Sequence, residues 1–300
     1  MSRMPAISLA AVPGRRARTL ELAAEIEERG FSGIFCPSMG DPVALCQGIA
    51  GVTKTIKFGT AIQPIYFRHP VDMAQTASFI HEVSEGRFFL GLGVSHGPVY
   101  NRLGLNPGRP LADTREYLDA MRNAGRIGEL PPIVLATLRD KMVDLSVEIG
   151  DGAVWANASR SRMGHSLSLI PDDRKSDGFF IGNMIPTTID DDRDAAAAVN
   201  RKTLTGYVQL PNYRNYWKTA GYVEEMDAIE AAAAAGDVAS IPGLMSDAWL
   251  SDATLYGSVE EVREGVEAWF DAGVTTPILV PSSTSGGQLK ALDELFAAFA

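Results

Sequence analysis

The chain has 300 residues, of which 46% are hydrophobic, so it can fill the core of one large domain or of two domains of ordinary size. Its 27 Lys and Arg residues against 37 Asp and Glu residues give a formal charge of −10, and no segment gathers basic residues into a stripe with aromatic residues. Nucleic acid and acidic membrane surfaces are therefore poor partners.

The sequence also argues against secretion and membrane insertion. The first stretch, MSRMPAISLAAVPGRR, has too short an apolar run for a signal peptide, and no apolar run approaches the roughly 18 residues that a membrane span requires. We therefore expect a soluble, cytoplasmic protein with no membrane partner. Cys36 lies in an apolar run and Cys46 on the apolar face of a predicted helix, so both are expected to be buried free thiols.

Helical patterns and short apolar runs alternate along the chain. The first helix is predicted from Arg15 to Glu28 with Gly30 at its C-terminal cap, and the second starts at Pro42 with Asp41 as N-cap. A third starts at Pro70. The apolar runs predict eight strands, in AISLAAV, FSGIFCP, IKFGTAIQPI, RFFLGLG, PIVLAT, AVWAN, GFFIGNMIPTTI and TPILVP.

The second half continues this alternation with two interruptions. Ser258 and Glu261 have capping-box spacing before a helix, and a terminal apolar-faced helix follows the last strand. Residues 158–177 and 206–253 read as irregular segments, the second with a short helical stretch at AIEAAAAAG. Both are interpreted as insertions, after strands 6 and 7.

Strict alternation of strand and helix predicts a parallel sheet, because right-handed crossovers place the helices outside it. Eight such units favour an α/β fold of the (β/α)8 TIM barrel type, with residues 1–300 forming a single domain. The alternative is an open doubly wound sheet, with the region after residue 206 as a separate domain.

In a barrel of this type, functional residues lie where the strands end. The strand ends here carry small and neutral polar residues, which suit an extended, partly apolar ring better than a highly charged transition state. No zinc helix, nucleophile elbow or phosphate loop is present, and GLGVSHG has one residue too many for the dinucleotide fingerprint. Composition and spacing alone indicate a barrel enzyme with its site at the strand ends.

Three stretches resemble one family. The segment FGTAIQPIYFRHPVDMAQTASFIHEVSEGRFFLGLGVSHGP, read with GFSGIFCPS and SVEEVREGVEAWFDAGV, is similar to the luciferase-like flavin-dependent oxidoreductases, and most similar to the branch that uses the deazaflavin coenzyme F420. The combination of RHP, a helix, EGR and G-x-G at fixed separation carries the resemblance, which is weakest in residues 158–177 and 206–253. It implies a small-molecule substrate and a homodimer.

The resemblance also implies roles for residues at the strand ends. A non-prolyl cis peptide is expected between Ala61 and Ile62, backing the cofactor ring, and His96 occupies the position of a proton donor. The implied cofactor-binding residues are Ala61, Ile62, Gln63, Gly91, Gly93, Val94, Ser95, Ala136, Thr137, Asn157 and Ser159. Ser38 and Arg139 are added as cofactor-binding candidates although both positions depart from the family pattern. Arg139 either pairs with a cofactor phosphate or is an exposed arginine at a helix start. Tyr66 and Tyr100 are further candidates for the rim of the site.

One departure from the family limits the inference. The sugar-phosphate dehydrogenases of this superfamily have an Asp-His pair at the end of strand two, where this chain has Ser38 and Met39, so sugar-phosphate oxidation is not expected. The favoured function is hydride transfer between coenzyme F420 and a small organic substrate, with His96 handling the proton. The alternatives are an FMN-dependent monooxygenase and a cofactor-binding protein without turnover.

Overall fold

The computed structural model describes residues 3–300, and strands alternate with helices along them. The strands are β1 (Ala6–Ser8), β2 (Gly33–Cys36), β3 (Lys57–Thr60), β4 (Gln63–Pro64), β5 (Phe88–Gly93), β6 (Ile133–Ala136), β7 (Gly152–Ala156), β8 (Phe180–Ile189), β9 (Leu255–Gly257) and β10 (Thr276–Ser282). The helices are α1 (Arg16–Glu28), α2 (Pro42–Val52), α3 (Pro70–Val83), α4 (Gly97–Leu103), α5 (Pro110–Arg122), α6 (Asp140–Ile149), α7 (Met163–Ser168), α8 (Asp172–Ser176), α9 (Arg193–Val208), α10 (Pro211–Thr219), α11 (Val223–Ala234), α12 (Asp247–Ala253), α13 (Val259–Asp271) and α14 (Gln288–Ala298).

The chain has the (β/α)8 barrel fold, as the alternation predicts. Its residues divide into two compact units. The first unit comprises Met4–Trp155 and Leu169–Gly182, and the second comprises Arg3, Ala156–Ser168 and Asn183–Ala300. The prediction of one domain over residues 1–300 stays a prediction, and Met1 and Ser2 lie outside the described residues.

In the first unit the strands lie side by side in the order β1, β2, β3, β5, β6 and β7, and β4 continues the β3 direction beside β5. Every pairing is parallel, with Ile34 opposite Phe58 and Leu90 opposite Ile133. Parallel pairing places all the carboxyl ends at one edge. Large rings fill the interior, where Phe180 packs at 5.2 Å from Phe35 between ring centroids.

In the second unit β8 pairs in parallel with β9, from Thr187 opposite Leu255 to Ile189 opposite Gly257. Six helices, α9 to α14, belong to this unit together with α7. Besides the helices within residues 158–177 and 206–253, the elements absent from the sequence prediction are the short β9 here and α4 in the first unit. Residues 206–253 are largely helical rather than irregular, because α10, α11 and α12 follow one another there. The interpretation of these segments as insertions stays a prediction.

The helix starts confirm the capping residues read from the sequence. Asp41 accepts hydrogen bonds from the backbone N–H groups of Val43 and Ala44, and Ser258 and Glu261 form the complete capping box. Cys36 and Cys46 are both buried and free, as expected. Within residues 3–300, no helix combines the length and the apolar character needed to cross a membrane.

Candidate active site at the strand ends

The end of strand three contains the expected cis peptide, which joins Ala61 to Ile62. The Ala61 N–H donates to the Cys36 carbonyl at 2.7 Å, so this corner is tied to the neighbouring strand β2. Ala61 and Gln63 are buried and Ile62 is half-buried. The Gln63 amide donates to the Pro64 carbonyl at 3.2 Å. Of these three residues, Ile62 therefore offers the most surface to a ligand.

Gly91 and Gly93 are required by the protein's own packing. A β-carbon on Gly91 would collide with the carbonyl oxygen of Thr60. A β-carbon on Gly93 would lie 2.7 Å from the β-carbon of Ala136 and 3.0 Å from the Ile62 side chain. These contacts place Ile62, Gly93 and Ala136, from three neighbouring strand ends, against one another. Val94, the residue after Gly93, is half-buried like Ile62 and Ala136, and we call these three residues the apolar floor.

Beside the apolar floor, the chain leaves β5 through Ser95, whose φ of 65° is left-handed, and enters α4 at its N-cap residue, His96. The His96 carbonyl accepts hydrogen bonds from the N–H groups of Val99 at 3.0 Å and Tyr100 at 3.3 Å. Burial lowers the pKa of the His96 imidazole below its ordinary value. His96 is therefore held as a half-buried, neutral imidazole at neutral pH.

At the end of β6, Thr137 is buried and its N–H donates to the Val154 carbonyl at 2.9 Å. Its hydroxyl has no hydrogen-bond partner among the described residues. Arg139 is exposed at the start of α6. At the end of β2, Ser38 and Met39 are both exposed.

Asn157 and Ser159 belong to the second unit and are buried against α10. The Asn157 carbonyl accepts from the indole N–H of Trp217 at 3.2 Å, and the Ser159 N–H donates to the Tyr216 hydroxyl at 3.0 Å. The Asn157 amide nitrogen and the Ser159 hydroxyl have no hydrogen-bond partner within the described chain. Both side chains are therefore buried, while the α10 residues contact the backbone of Asn157 and Ser159.

Sequence reasoning identified Tyr66 and Tyr100 but missed Asp113. The Tyr66 hydroxyl donates to Oδ2 of Asp113 at 2.6 Å, and the Tyr66 and Tyr100 rings meet edge to face with centroids 5.6 Å apart. In the sequence, Asp113 reads only as an acidic residue in the first turn of a helix. Its partner lies 47 positions earlier, so no local signal marks it.

A (β/α)8 fold whose candidate residues follow the carboxyl ends of parallel strands is the architecture of a barrel enzyme. More specifically, the chain belongs to the Luciferase-like monooxygenase family, which it matches over residues 4–276. A Mycobacterium tuberculosis protein, provisionally named a coenzyme F420-dependent oxidoreductase, is 26% identical, with 92% of this chain and 93% of the relative aligned.

Solved structures share the fold. The coenzyme F420-dependent tetrahydromethanopterin reductase of Methanopyrus kandleri superposes with a TM-score of 0.77 at 17% identity, covering 98% of this chain and 97% of that one. The oxygenating constituent of a Pseudomonas putida 3,6-diketocamphane monooxygenase, in complex with FMN, has a TM-score of 0.63 at 16% identity, covering 100% of this chain and 96% of that one.

Proposed function

We propose that this enzyme is an oxidoreductase that transfers a hydride between coenzyme F420 and a small organic substrate. The observation that carries the proposal is the apolar floor of Ile62, Val94 and Ala136 beside the half-buried His96. A flat, partly apolar ring can lie on such a floor, while the imidazole serves the reacting atoms. The named relative and the reductase with the same fold support the choice of coenzyme.

The residues present fit a deazaflavin. When bound, the deazaflavin supplies the hydride carrier, and the protein supplies orientation and electrostatics. Ile62, Val94 and Ala136 would hold its ring, and the unpaired hydroxyl of Thr137 is a buried polar group that lacks a partner in the described chain. The exposed guanidinium of Arg139 would pair with a phosphate of the cofactor.

The other residues keep narrower roles in the proposal. Ala61, Gly91 and Gly93 shape the strand ends that carry the floor, and Gln63 and Ser95 border it. Ser38 is exposed at the end of β2, where it can approach a ligand. Asn157 and Ser159 would contribute to cofactor binding only after a rearrangement that exposes their buried side chains.

His96 handles the proton in the proposed reaction. Because burial favours its neutral form, the unprotonated nitrogen of its imidazole can accept a proton from a substrate hydroxyl as the hydride leaves carbon. In the reverse direction the imidazolium returns that proton to the carbonyl oxygen.

Titration with coenzyme F420 and, separately, with FMN tests the cofactor assignment, with absorbance and fluorescence as readouts. We expect F420 to bind and FMN to bind weakly. Tight binding of FMN without a response to F420 would overturn the proposal in favour of the monooxygenase alternative, which the FMN-bound structure of the same fold supports. Binding of F420 without hydride transfer across a panel of alcohols and carbonyls would favour a binding protein without turnover.

The proposal includes a cytoplasmic homodimer. Free buried cysteines are consistent with a reducing compartment. A dimer is supported by the α3 surface, where Phe79 is 52% exposed and Val83, one turn later, is 49% exposed.

A further inference from the structure

We propose that Asp113 and Tyr66 are positioning residues that hold His96 beside the apolar floor through Tyr100. This inference rests on the proposed function for the role of His96. The structural link itself, from Asp113 to the His96 backbone, can be measured without any substrate. All four residues lie in the first unit.

The first link is the carboxylate of Asp113, which is fixed by three donors. Its Oδ2 accepts from the Tyr66 hydroxyl at 2.6 Å and from the Gly108 N–H at 3.0 Å, and its Oδ1 accepts from the Arg109 N–H at 3.1 Å. A β-carbon on Gly108 would lie 2.6 Å from Oδ2, so only glycine permits this approach. The carboxylate therefore joins the turn before α5 to the end of strand three.

The second link is the Tyr66 ring. Burial, followed by the hydrogen bond to Asp113, raises the pKa of Tyr66 well above its ordinary value, so the phenol stays protonated and donates. Its ring meets the Tyr100 ring at an interplanar angle of 86°. The edge-to-face geometry fixes Tyr100 in orientation as well as in distance.

The third link is α4, which depends on Tyr100. This helix has only seven residues, and its N-cap residue, His96, makes no side-chain capping bond. Tyr100 is the one buried residue of α4. Helices this short are not stable alone and need tertiary contacts. Since the Tyr100 N–H also donates to the His96 carbonyl, the contact with Tyr66 fixes the segment that carries the imidazole.

The experiment compares Tyr66→Phe and Asp113→Ala with Tyr117→Phe as the matched control. Tyr66→Phe keeps the ring contact and removes only the hydroxyl. Tyr117 is a buried tyrosine on α5 whose hydroxyl donates to the Arg68 carbonyl at 3.2 Å, outside the proposed link. Backbone amide hydrogen exchange of α4 and the ring NMR signals of His96, one of four histidines, are measured on the protein without cofactor.

We expect exchange of the α4 amides to accelerate by about tenfold or more in Tyr66→Phe, because a hydrogen bond to a charged acceptor is lost. Asp113→Ala should accelerate it further, and Tyr117→Phe should leave it unchanged. Tyr66→Phe and Asp113→Ala should both shift the His96 ring signals. Both should also raise the pKa of His96 towards its ordinary value, because the imidazole becomes more exposed to water. Loss of the Asp113 charge alone would lower that pKa, so the sign separates positioning from electrostatics.

The two proposals fail in different ways. Unchanged α4 exchange and unchanged His96 signals in Tyr66→Phe and Asp113→Ala would overturn the positioning role, whatever the turnover. If these signals change but the unmodified enzyme neither binds coenzyme F420 nor transfers hydride, the proposed function fails and the structural link stands. With turnover present, Tyr66→Phe should lower kcat and leave the affinity for F420 unchanged.

Discussion

The Thr60 hydroxyl donates to the Gly91 carbonyl at 2.7 Å, while a β-carbon on Gly91 would collide with the Thr60 carbonyl oxygen. The two strands, β3 and β5, are thus packed through this glycine. Gly91 is the first glycine of the G-x-G motif that carries the family resemblance. Packing between the strands explains why this position is glycine, whether or not a ligand binds.

We expect Gly91→Ala to destabilise the fold by about 3 kcal/mol or more, because the backbone oxygen of Thr60 cannot move aside without breaking the sheet. Urea unfolding of the protein without cofactor measures this. Gly206→Ala is the control, since Gly206 lies in α9 with open space around it. That change should stabilise the protein by about 0.5–1 kcal/mol. Equal effects of the two substitutions would contradict the packing explanation.

His96→Ala should lower kcat for hydride transfer strongly and change the affinity for coenzyme F420 little. In the unmodified enzyme, the rate of substrate oxidation should fall as the pH drops through the lowered pKa of His96, below 6.5, because the imidazole becomes protonated and can no longer accept a proton. A pH–rate profile measures the fall in the oxidation rate at low pH, and titration with coenzyme F420 measures the affinity. The exposed His165 provides the control, and His165→Ala should retain the acid limb. Persistence of that limb in His96→Ala would remove His96 from the mechanism.

The sequence predicts the barrel well because its signals are local. Prolines begin α2, α3 and α5, and apolar runs mark each of the eight predicted strands. Two of the elements that the sequence did not predict, β9 and α4, lack such signals. The three-residue β9 is too short to show alternation, and α4 has a single buried residue, so it shows no apolar stripe.

The candidate site was predictable only in part. The position of the cis peptide at Ala61–Ile62 follows from the family resemblance and is confirmed. Asp113 could not be found, because its function depends on contacts with residues 66 and 108 that tertiary folding brings together. Likewise, no sequence pattern shows that α10 side chains form hydrogen bonds with the backbone of Asn157 and Ser159.

Arg87, part of the EGR motif, has a structural role, and Arg87→Lys should destabilise the protein by about 2–3 kcal/mol. Its guanidinium forms five hydrogen bonds and stacks 5.3 Å from the centroid of the Phe58 ring. The acceptors are the carbonyl oxygens of Ser84, Ile56, Ala50 and Thr53 and the hydroxyl of Thr53. Lysine lacks the planar fork that reaches them. Thermal or urea unfolding measures the loss, and a change below about 0.5 kcal/mol would show that these bonds are dispensable.

The proposed homodimer predicts that a charge on α3 separates the subunits. Phe79→Glu should convert a dimer into a monomer in sedimentation or light-scattering measurements, because burying the new carboxylate in an apolar interface is unfavourable. Val223→Glu, at a 47% exposed position on α11, is the matched control and should leave the mass unchanged. A monomeric unmodified protein would refute the dimer.

Glu27 joins α1 to the turn before β3, and its removal should make the protein less stable and less sensitive to acid. Its carboxylate accepts from the N–H groups of Lys54 at 2.9 Å, Thr55 at 2.6 Å and Ile56 at 2.8 Å. Burial alone would raise the pKa of Glu27, but these hydrogen bonds outweigh it and lower the pKa. The contribution is therefore complete above the ordinary pKa of 4.5 and is lost as the pH falls through the lowered value.

We expect Glu27→Gln to cost about 1–2 kcal/mol at pH 7, since one neutral oxygen replaces a charged acceptor shared by three donors. At a pH below the lowered pKa of Glu27, the variant and the unmodified protein should have nearly equal stabilities. Urea unfolding at several pH values measures the convergence. Glu28→Gln, at the exposed neighbouring position, should leave the pH dependence unchanged. A stability difference for Glu27→Gln that stays constant with pH would show that hydrogen bonding to the charged carboxylate is not its source.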